Sequence, residues 1–201
     1  MSHQDADHCG DLPAYLNKMQ VNSVIVPWGM DKNQSFIKRL RQAGYPLDHV
    51  ITVSNKHNNF ISGLQVLHPF IPGKGENHDS MVLFGTYGGK RWLFTGDLDR
   101  QGELDVIHKY PGLQIDVLKV GHHGSKTSSD PVFIHTIQPQ VALISAGRNN
   151  RYHHPNDETI ATLTNKRRLI INSQISGMVR YKYWHNLGRF EATVNLTKDD
   201  S

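Results

Sequence analysis

The chain has 201 residues, of which 37% are hydrophobic and 20% charged, with a formal net charge of +4 that leaves 13 histidines uncounted. That length allows one domain with a sizeable core and excludes two comfortable ones, and the composition excludes a disordered chain, although a mean hydropathy of −0.50 leaves much exposed loop. No apolar run approaches the ~20 residues of a membrane span and no signal-like start is present, so the chain reads as soluble; the single cysteine, Cys9, excludes an internal disulfide framework, and the mild basicity permits a polyanionic partner without requiring one.

The chain opens on Ser2-His3-Gln4-Asp5-Ala6-Asp7-His8, which packs four side chains able to bind a metal into six positions. Carboxylates and imidazoles alternating along a tight turn can aim several donors at one point, and oxygen with nitrogen ligands suits Zn²⁺, Mn²⁺ or a pair of such ions. A frayed polar terminus or a tag remnant is the alternative; tags, however, run as consecutive histidines.

Apolar residues at helical spacing predict a helix over 11–19, and the β-branched run over 21–28 predicts a buried strand. An amphipathic helix is expected over 35–43, closed by Gly44. Short strands follow over 49–53, 60–68, 80–84 and 90–95, simplest as an antiparallel meander, with Tyr87-Gly88-Gly89 as the hairpin turn between the last two. A Pro/Gly loop over 69–77 leads into Asn77-His78-Asp79-Ser80. The second half alternates helix and strand: a helix over 103–109, a strand over 115–120, a helix over 131–137, a strand over 141–145 and a capped helix over 155–165. Strands over 168–172, 178–184 and 189–195 close the chain before a solvated tail at 198–201. No internal repeat is visible.

Three further stretches carry chemistry. In Thr95-Gly96-Asp97 an aspartate emerges at the end of an apolar strand after a glycine that lets the backbone turn sharply, as it does in ordinary turns too. In Lys119-Val120-Gly121-His122-His123-Gly124-Ser125-Lys126 a strand ends on a glycine-bracketed His pair followed by a hydroxyl and an amine; neighbouring imidazoles can divide metal binding from acid–base work. In the loop from Ser145 to Pro155, His154 is a candidate ligand or phosphate contact, while N-capping by Asn156 and Asp157 would explain the loop equally well. Lys119, Lys126, Arg148 and Arg151 gather around these motifs and suit an anionic backbone, although each alone reads as a solvated charge.

The opening run resembles the His-x-His-x-Asp-His motif of the metallo-β-lactamase superfamily, with Asp5 where most members carry the second His. Thr95-Gly96-Asp97 resembles the motif whose Asp bridges two metals. Lys119 to Ser128, with Ser129 following, resembles Lys-Val-x-His-His-Gly-Ser-Lys-x-Ser, and Ser145 to Pro155 resembles Ser-x-Gly-x-Asn-x-Tyr-Gly-His-Pro, with His153 for the Gly. Ser2, Asp5 and the Cys9-Gly10 step look like the ComEC competence branch, whose domain of this kind adjoins a membrane DNA-uptake channel.

The resemblance implies an α/β fold, the αββα sandwich of that superfamily, in one domain over 1–201. The family begins with strands and a Gly-Gln-Gly-Asp loop ahead of the metal motif, so the domain is expected to be N-terminally truncated and to lack its first strands. It implies a metal-dependent phosphodiester hydrolase, a nuclease degrading one DNA strand during uptake, with one or two Mn²⁺ or Zn²⁺ ions held by His3, Asp5, Asp7, His8, Asp97 and His122. Asp7, His123 and His154 are the expected catalytic residues, and Asn77, Ser80, Ser125, Lys126 and Arg148 the expected substrate contacts. Asn77 or His78 stands where most members place a further metal ligand. The implied partners are DNA and the membrane channel of the full-length protein, with this domain outside the cytoplasm. A DNA-binding or structural module without catalysis, and a small-molecule hydrolase such as a lactonase, are the alternatives; Asp5 and Asn77 argue against the latter.

Overall fold

The computed structural model describes residues 1–194. Asn195 of the last expected strand and the tail at 198–201 lie outside the described residues. The chain divides into two compact units, Met1–Leu83 with Gly96–Leu98, and Phe84–Thr95 with the chain from Asp99 onward.

The first unit begins with two short helices, α1 (Ala6–Cys9) and α2 (Leu12–Lys18), and continues through β1 (Val24–Pro27), α3 (Gln34–Gln42) and β2 (Val50–Val53). The strand at 49–53, expected to open an antiparallel meander, instead pairs with β1 in parallel, Val24 opposite Val50 and Pro27 opposite Val53. The crossover through α3 makes this possible, because parallel neighbours need a connection long enough to return the chain to the same end. Asn33 caps α3 by accepting from the Phe36 N–H, and four residues apart on the helix, Phe36 and Leu40 bury against Val24, Val26 and Met30. The single strand expected over 60–68 is two, β3 (Phe60–Ile61) and β4 (Leu64–His68), paired antiparallel. Ser62 and Gly63 both take positive φ, 49° and 84°, which gives the two-residue turn that reverses a hairpin. The apolar run concealed that turn because a serine stands where Asn or Gly is usual.

Strand β5 (Val82–Tyr87) passes into the second unit at Phe84 and turns back through Gly88 and Gly89 into β6 (Lys90–Phe94). After it come α4 (Arg100–Lys109), β7 (Val117–Lys119), α5 (Pro131–Ile137), β8 (Val141–Ile144), α6 (Asp157–Leu163), β9 (Leu169–Asn172), α7 (Ser173–Ser176), β10 (Val179–Trp184) and β11 (Leu187–Ala192). Strands β6, β7, β8 and β9 run parallel in that order, so with β5 the unit has a mixed sheet whose parallel part is joined by helical crossovers. One face of it, Trp92, Val117, Val141 and Ile171, is covered by Tyr181 and Phe190 of the β10–β11 hairpin. The alternate residues Leu93, Leu118 and Ala142 are also buried, as are Phe133, Ile134, Ile137 and Leu163 on the helices. Burial on both faces explains why these strands read as continuous apolar runs. The α/β class expected from the sequence is the class observed.

Candidate metal centre

In the first unit, the backbone of the N-terminal run is tied down before its side chains are considered: Met81 N–H donates to Ser2 O at 3.0 Å, and Gln4 N–H to Gly75 O at 2.8 Å. The chain then makes the single turn of α1, with Asp5 as its first flanking residue; Asp5 makes no side-chain capping bond, so its carboxylate is not spent on the helix end. Cys9 closes the turn, its thiol donating to Gln4 O and accepting from Arg39 Nη1. Burial pushes that thiol above its ordinary pKa, so it is an anchor and not a nucleophile.

Asp97 reaches the same place through Gly96. A Cβ at Gly96 would stand 2.9 Å from Ser2 Cβ and 3.2 Å from Ser80 Cβ, and its φ is +56°, so only glycine lets the strand end approach this closely. Asp97 is buried, and each carboxylate oxygen faces a different imidazole: Oδ1 lies 3.3 Å from His8 Nε2 and Oδ2 3.8 Å from His3 Nε2. Asp5 Oδ2 stands 3.6 Å from His3 Nε2, and Asp7 Oδ2 3.6 Å from His8 Nε2. Five residues expected as ligands, His3, Asp5, Asp7, His8 and Asp97, are therefore brought together.

Their chemistry and spacing fit a divalent ion. Tetrahedral bonds of ~2.1 Å place donor atoms about 3.4 Å apart, and the four pairs span 3.3–3.8 Å. His3 is fully buried, and its Nε2 has no hydrogen-bond partner. Such a nitrogen costs about 1–3 kcal/mol unless something engages it, and a cation would. Burial is the largest cause holding the His3 pKa below its ordinary value, with His8 adding to it against the pull of Asp97, Asp5 and Asp7; the imidazole is thereby kept in the neutral form that ligates.

Behind these groups lies a supporting layer. Ser2 Oγ is 3.1 Å from His3 Nδ1 and 2.9 Å from His8 Nδ1. If both imidazoles ligate through Nε2, both Nδ1 atoms carry protons and the one hydroxyl accepts from the two rings, fixing both tautomers at once. Ser80 was expected to touch substrate; it is fully buried, and its Oγ accepts the Asp97 N–H at 3.2 Å. Buried His68 donates from Nδ1 to Ser80 O at 2.9 Å and holds that brace in turn. The 3-10 turn Asn77–Asp79 precedes Ser80, and Asp79 Oδ2 accepts from the N–H groups of Lys74, Gly75 and Glu76, which shapes the Pro/Gly loop. Asn77 and His78 both sit on that turn, and neither is among the five residues gathered above.

In the second unit, Gly121–Gly124 forms a tight turn in which His122 and His123 both have positive φ, 46° and 54°. His123 Nδ1 donates to Ser145 O at 2.8 Å. A carbonyl can only accept, so neutral His123 carries its lone pair on Nε2, the state of a metal ligand or a base. His122 Nδ1 lies 3.0 Å from Thr127 Oγ1, which can donate or accept and fixes no tautomer. His154 packs 5.8 Å from His122 and stacks on Tyr152. Asn156 does stand at the N-cap position of α6 and Asp157 in its first turn, but Asn156 makes no side-chain cap bond, its Oδ1 accepting instead from Lys126 N–H at 2.8 Å. Ser125, expected at the substrate, is buried with its Oγ against Thr127 Oγ1. Lys126 and Arg148 are exposed, Arg148 Nε donating to Gln174 O. Glu103 on α4 was not singled out by its sequence. It is buried, and its two oxygens accept the Ser129 and Asp130 N–H groups at 2.8 and 2.7 Å, clamping the end of the His-pair segment.

The profile of the Metallo-beta-lactamase superfamily matches residues 1–148. The chain belongs to that superfamily. Among curated relatives, ComE operon protein 3 of Bacillus subtilis is 35% identical over 94% of this chain and 25% of its own length. Recombination protein 2 of Haemophilus influenzae is 29% identical over 98% of this chain and 23% of its own, and Competence protein ComA of Neisseria gonorrhoeae 37% identical over 53% and 16%. The chain spans a quarter or less of the length of these relatives. The competence branch that Ser2 and Asp5 resembled is the one in which these relatives stand. For a metallo-beta-lactamase superfamily chain, a divalent metal is the implied cofactor, and the cluster of His3 and Asp5 ahead of α1, Asp7 and His8 on it, and Asp97 is where the residues fit it.

The shared hydroxyl gives a direct test. Ser2→Ala is expected to weaken Mn²⁺ or Zn²⁺ binding by ~10–100-fold in a calorimetric titration, and Ser2→Thr to retain most of it. Unchanged affinity in Ser2→Ala would show that the imidazoles are oriented by packing alone.

Proposed function

We propose that this chain is a metal-dependent hydrolase of phosphodiester bonds in DNA, acting with one or two Mn²⁺ or Zn²⁺ ions to degrade one strand during DNA uptake. The observation that carries the reading is the meeting of His3, Asp5, Asp7, His8 and Asp97, with a fully buried, unbonded His3 Nε2 among them. Oxygen-rich ligation suits a hard, charge-neutralising role at phosphate better than an all-imidazole set would. The DNA assignment and the link to uptake rest on the resemblance to the competence branch carried by Ser2, Asp5 and the His-His-Gly-Ser-Lys run, a branch that the name of one relative, Competence protein ComA, fits. By the same reading the chain works beside the membrane channel of a longer protein, outside the cytoplasm; among the described residues no helix is long and apolar enough to cross a membrane.

His3, Asp5, Asp7, His8 and Asp97 would hold the metal, which when bound supplies Lewis-acid charge stabilisation and makes water acidic enough to attack near neutral pH. Asp97 turns one carboxylate oxygen toward His8 and the other toward His3, so it would hold metal together with either imidazole. Ser2 orients both imidazoles, and Ser80 with His68 behind it holds the Asp97 backbone. The family resemblance would make His122 a further ligand and His123 or His154 the group that assists the leaving oxygen; the Ser145 carbonyl holds the His123 proton on Nδ1, so its Nε2 lone pair can take a proton or ligate. Lys126 and Arg148 supply positive charge for the phosphate backbone.

The test is a gel assay with labelled single- and double-stranded DNA beside a lactone and a β-lactam, each with Mn²⁺, Zn²⁺ or chelator. Cleavage of DNA that needs metal, without turnover of the small substrates, is the expected result. DNA binding without cleavage under every metal condition would make the chain a binding module, and turnover of the lactone alone a small-molecule hydrolase.

A further inference from the structure

The β10–β11 hairpin has two unlike faces. Its inner face is part of the core: Tyr181 and Phe190, opposite one another in the register, lie 5.2 and 5.8 Å from the Trp92 ring, and Tyr181 Oη donates to Gly88 O. The outer face consists of the cross-strand pairs Arg180 with Glu191, Lys182 with Arg189, and Trp184 with Leu187. Three cations therefore stand beside one carboxylate, which Lys182 and Arg189 share at 2.8 Å each, so the face keeps two positive charges in excess. At its tip Trp184 is 79% and Leu187 82% exposed. Trp184 meets the ring of its neighbour His185 edge-on at 5.1 Å and leaves its own faces largely to solvent, while the core contact is made by the residues that alternate with it.

We propose that this outer face docks single-stranded DNA, its bases stacking on Trp184 and its phosphates lying along Arg180, Lys182 and Arg189. The inference rests on DNA being the substrate, and it adds a surface that grips the strand and prefers it unpaired. Alternate residues on a strand are ~6.8 Å apart, so the cations form a track leading to the indole, the combination of charge with a stacking platform that suits unpaired strands. A duplex keeps its base faces covered and cannot use the tryptophan. A protein partner is disfavoured by lysine and glutamate at the middle of the face, which interface cores exclude.

The test is fluorescence anisotropy of a labelled oligothymidine and of a duplex of equal length, titrated with the intact chain in chelator so that nothing is cleaved. Trp184→Ala is expected to weaken single-strand binding roughly 10-fold with the melting temperature unchanged, and Trp184→Phe to restore most of it. Arg180→Gln with Arg189→Gln should lower the slope of log affinity against log salt by about 1.4, two phosphate contacts at ~0.7 each. Unaltered affinity in Trp184→Ala, equal losses for duplex and single strand, or no single-strand binding by the parent chain would each overturn the proposal. Hairpin variants that lose affinity in a chain that never cleaves would leave the docking face standing and remove only the catalytic reading; cleavage that persists with unaltered affinity would do the reverse.

Discussion

Asp97→Ala is expected to lose metal binding by more than ~100-fold and DNA turnover by about 10³-fold, the largest functional effect of any single change in the chain. The carboxylate is buried between two imidazoles, one oxygen toward each, so its removal takes one donor from the His3 side and one from the His8 side together. Asp97→Asn keeps the shape and loses the charge; it separates charge neutralisation from geometry and should fall nearer to the alanine variant. Calorimetry for binding and single-turnover rates for chemistry provide the measurement, and an Asp97→Asn chain that binds and cleaves normally would remove Asp97 from the centre. Binding should also weaken in acid, because imidazoles must be neutral to ligate. The metal-free chain should follow the same direction. The His3 pKa is lowered by folding, so its contribution to stability is complete above about pH 6.5 and is lost as pH falls below that value toward the lowered folded pKa.

Glu103→Ala should produce the largest change in stability outside the apolar core, about 2–4 kcal/mol, because it leaves the Ser129 and Asp130 N–H groups without their acceptor. Glu103→Gln should lose part of this, since an amide nitrogen cannot accept and would face a second N–H donor. Burial pushes the Glu103 pKa up to about 8, against the two N–H bonds that pull it down. A carboxyl that holds its proton more tightly when folded gives stability that is full below about pH 4.5 and is lost as pH rises toward 8. The stability of the parent chain relative to Glu103→Gln should therefore decline across that window in chemical denaturation. A difference that grows with pH would show that the two N–H bonds outweigh burial and keep Glu103 ionised.

What the sequence revealed, and what it hid, follows from the range of the interactions. The clustering of His3, Asp5, Asp7 and His8 was legible because they are neighbours in the chain and the single turn of α1 brings its own pair back toward the residues just before it. Asp97 was legible because a glycine before it signals a strand end forced close to something, here Ser2 and Ser80. The parallel strands of the second unit were legible as apolar runs separated by helical spacing. Ser2, His68 and Glu103 were not assigned these roles, since each acts through contacts far apart in sequence or through a backbone group that leaves no pattern. Glu103 sits among charged and polar residues on α4 and reads as solvated until its partners at Ser129 and Asp130 are known. Ser80 and Ser125 were expected at the substrate because hydroxyls near a phosphodiesterase motif suggest it; both are buried and brace the backbone or a neighbouring hydroxyl. The tautomer of His123 was equally hidden, because it depends on which ring nitrogen meets the Ser145 carbonyl.

The proposed dependence of DNA cleavage on bound metal can be followed by measuring metal content and single-strand cleavage rate in the same samples as metal-depleted chain is titrated with Mn²⁺ and, separately, Zn²⁺. The expected rate rises with occupancy, saturates at one or two ions per chain, and returns to background on chelation. A chain that fills with metal and still leaves the DNA intact, or one that cleaves at full rate after its metal has been removed, would contradict it.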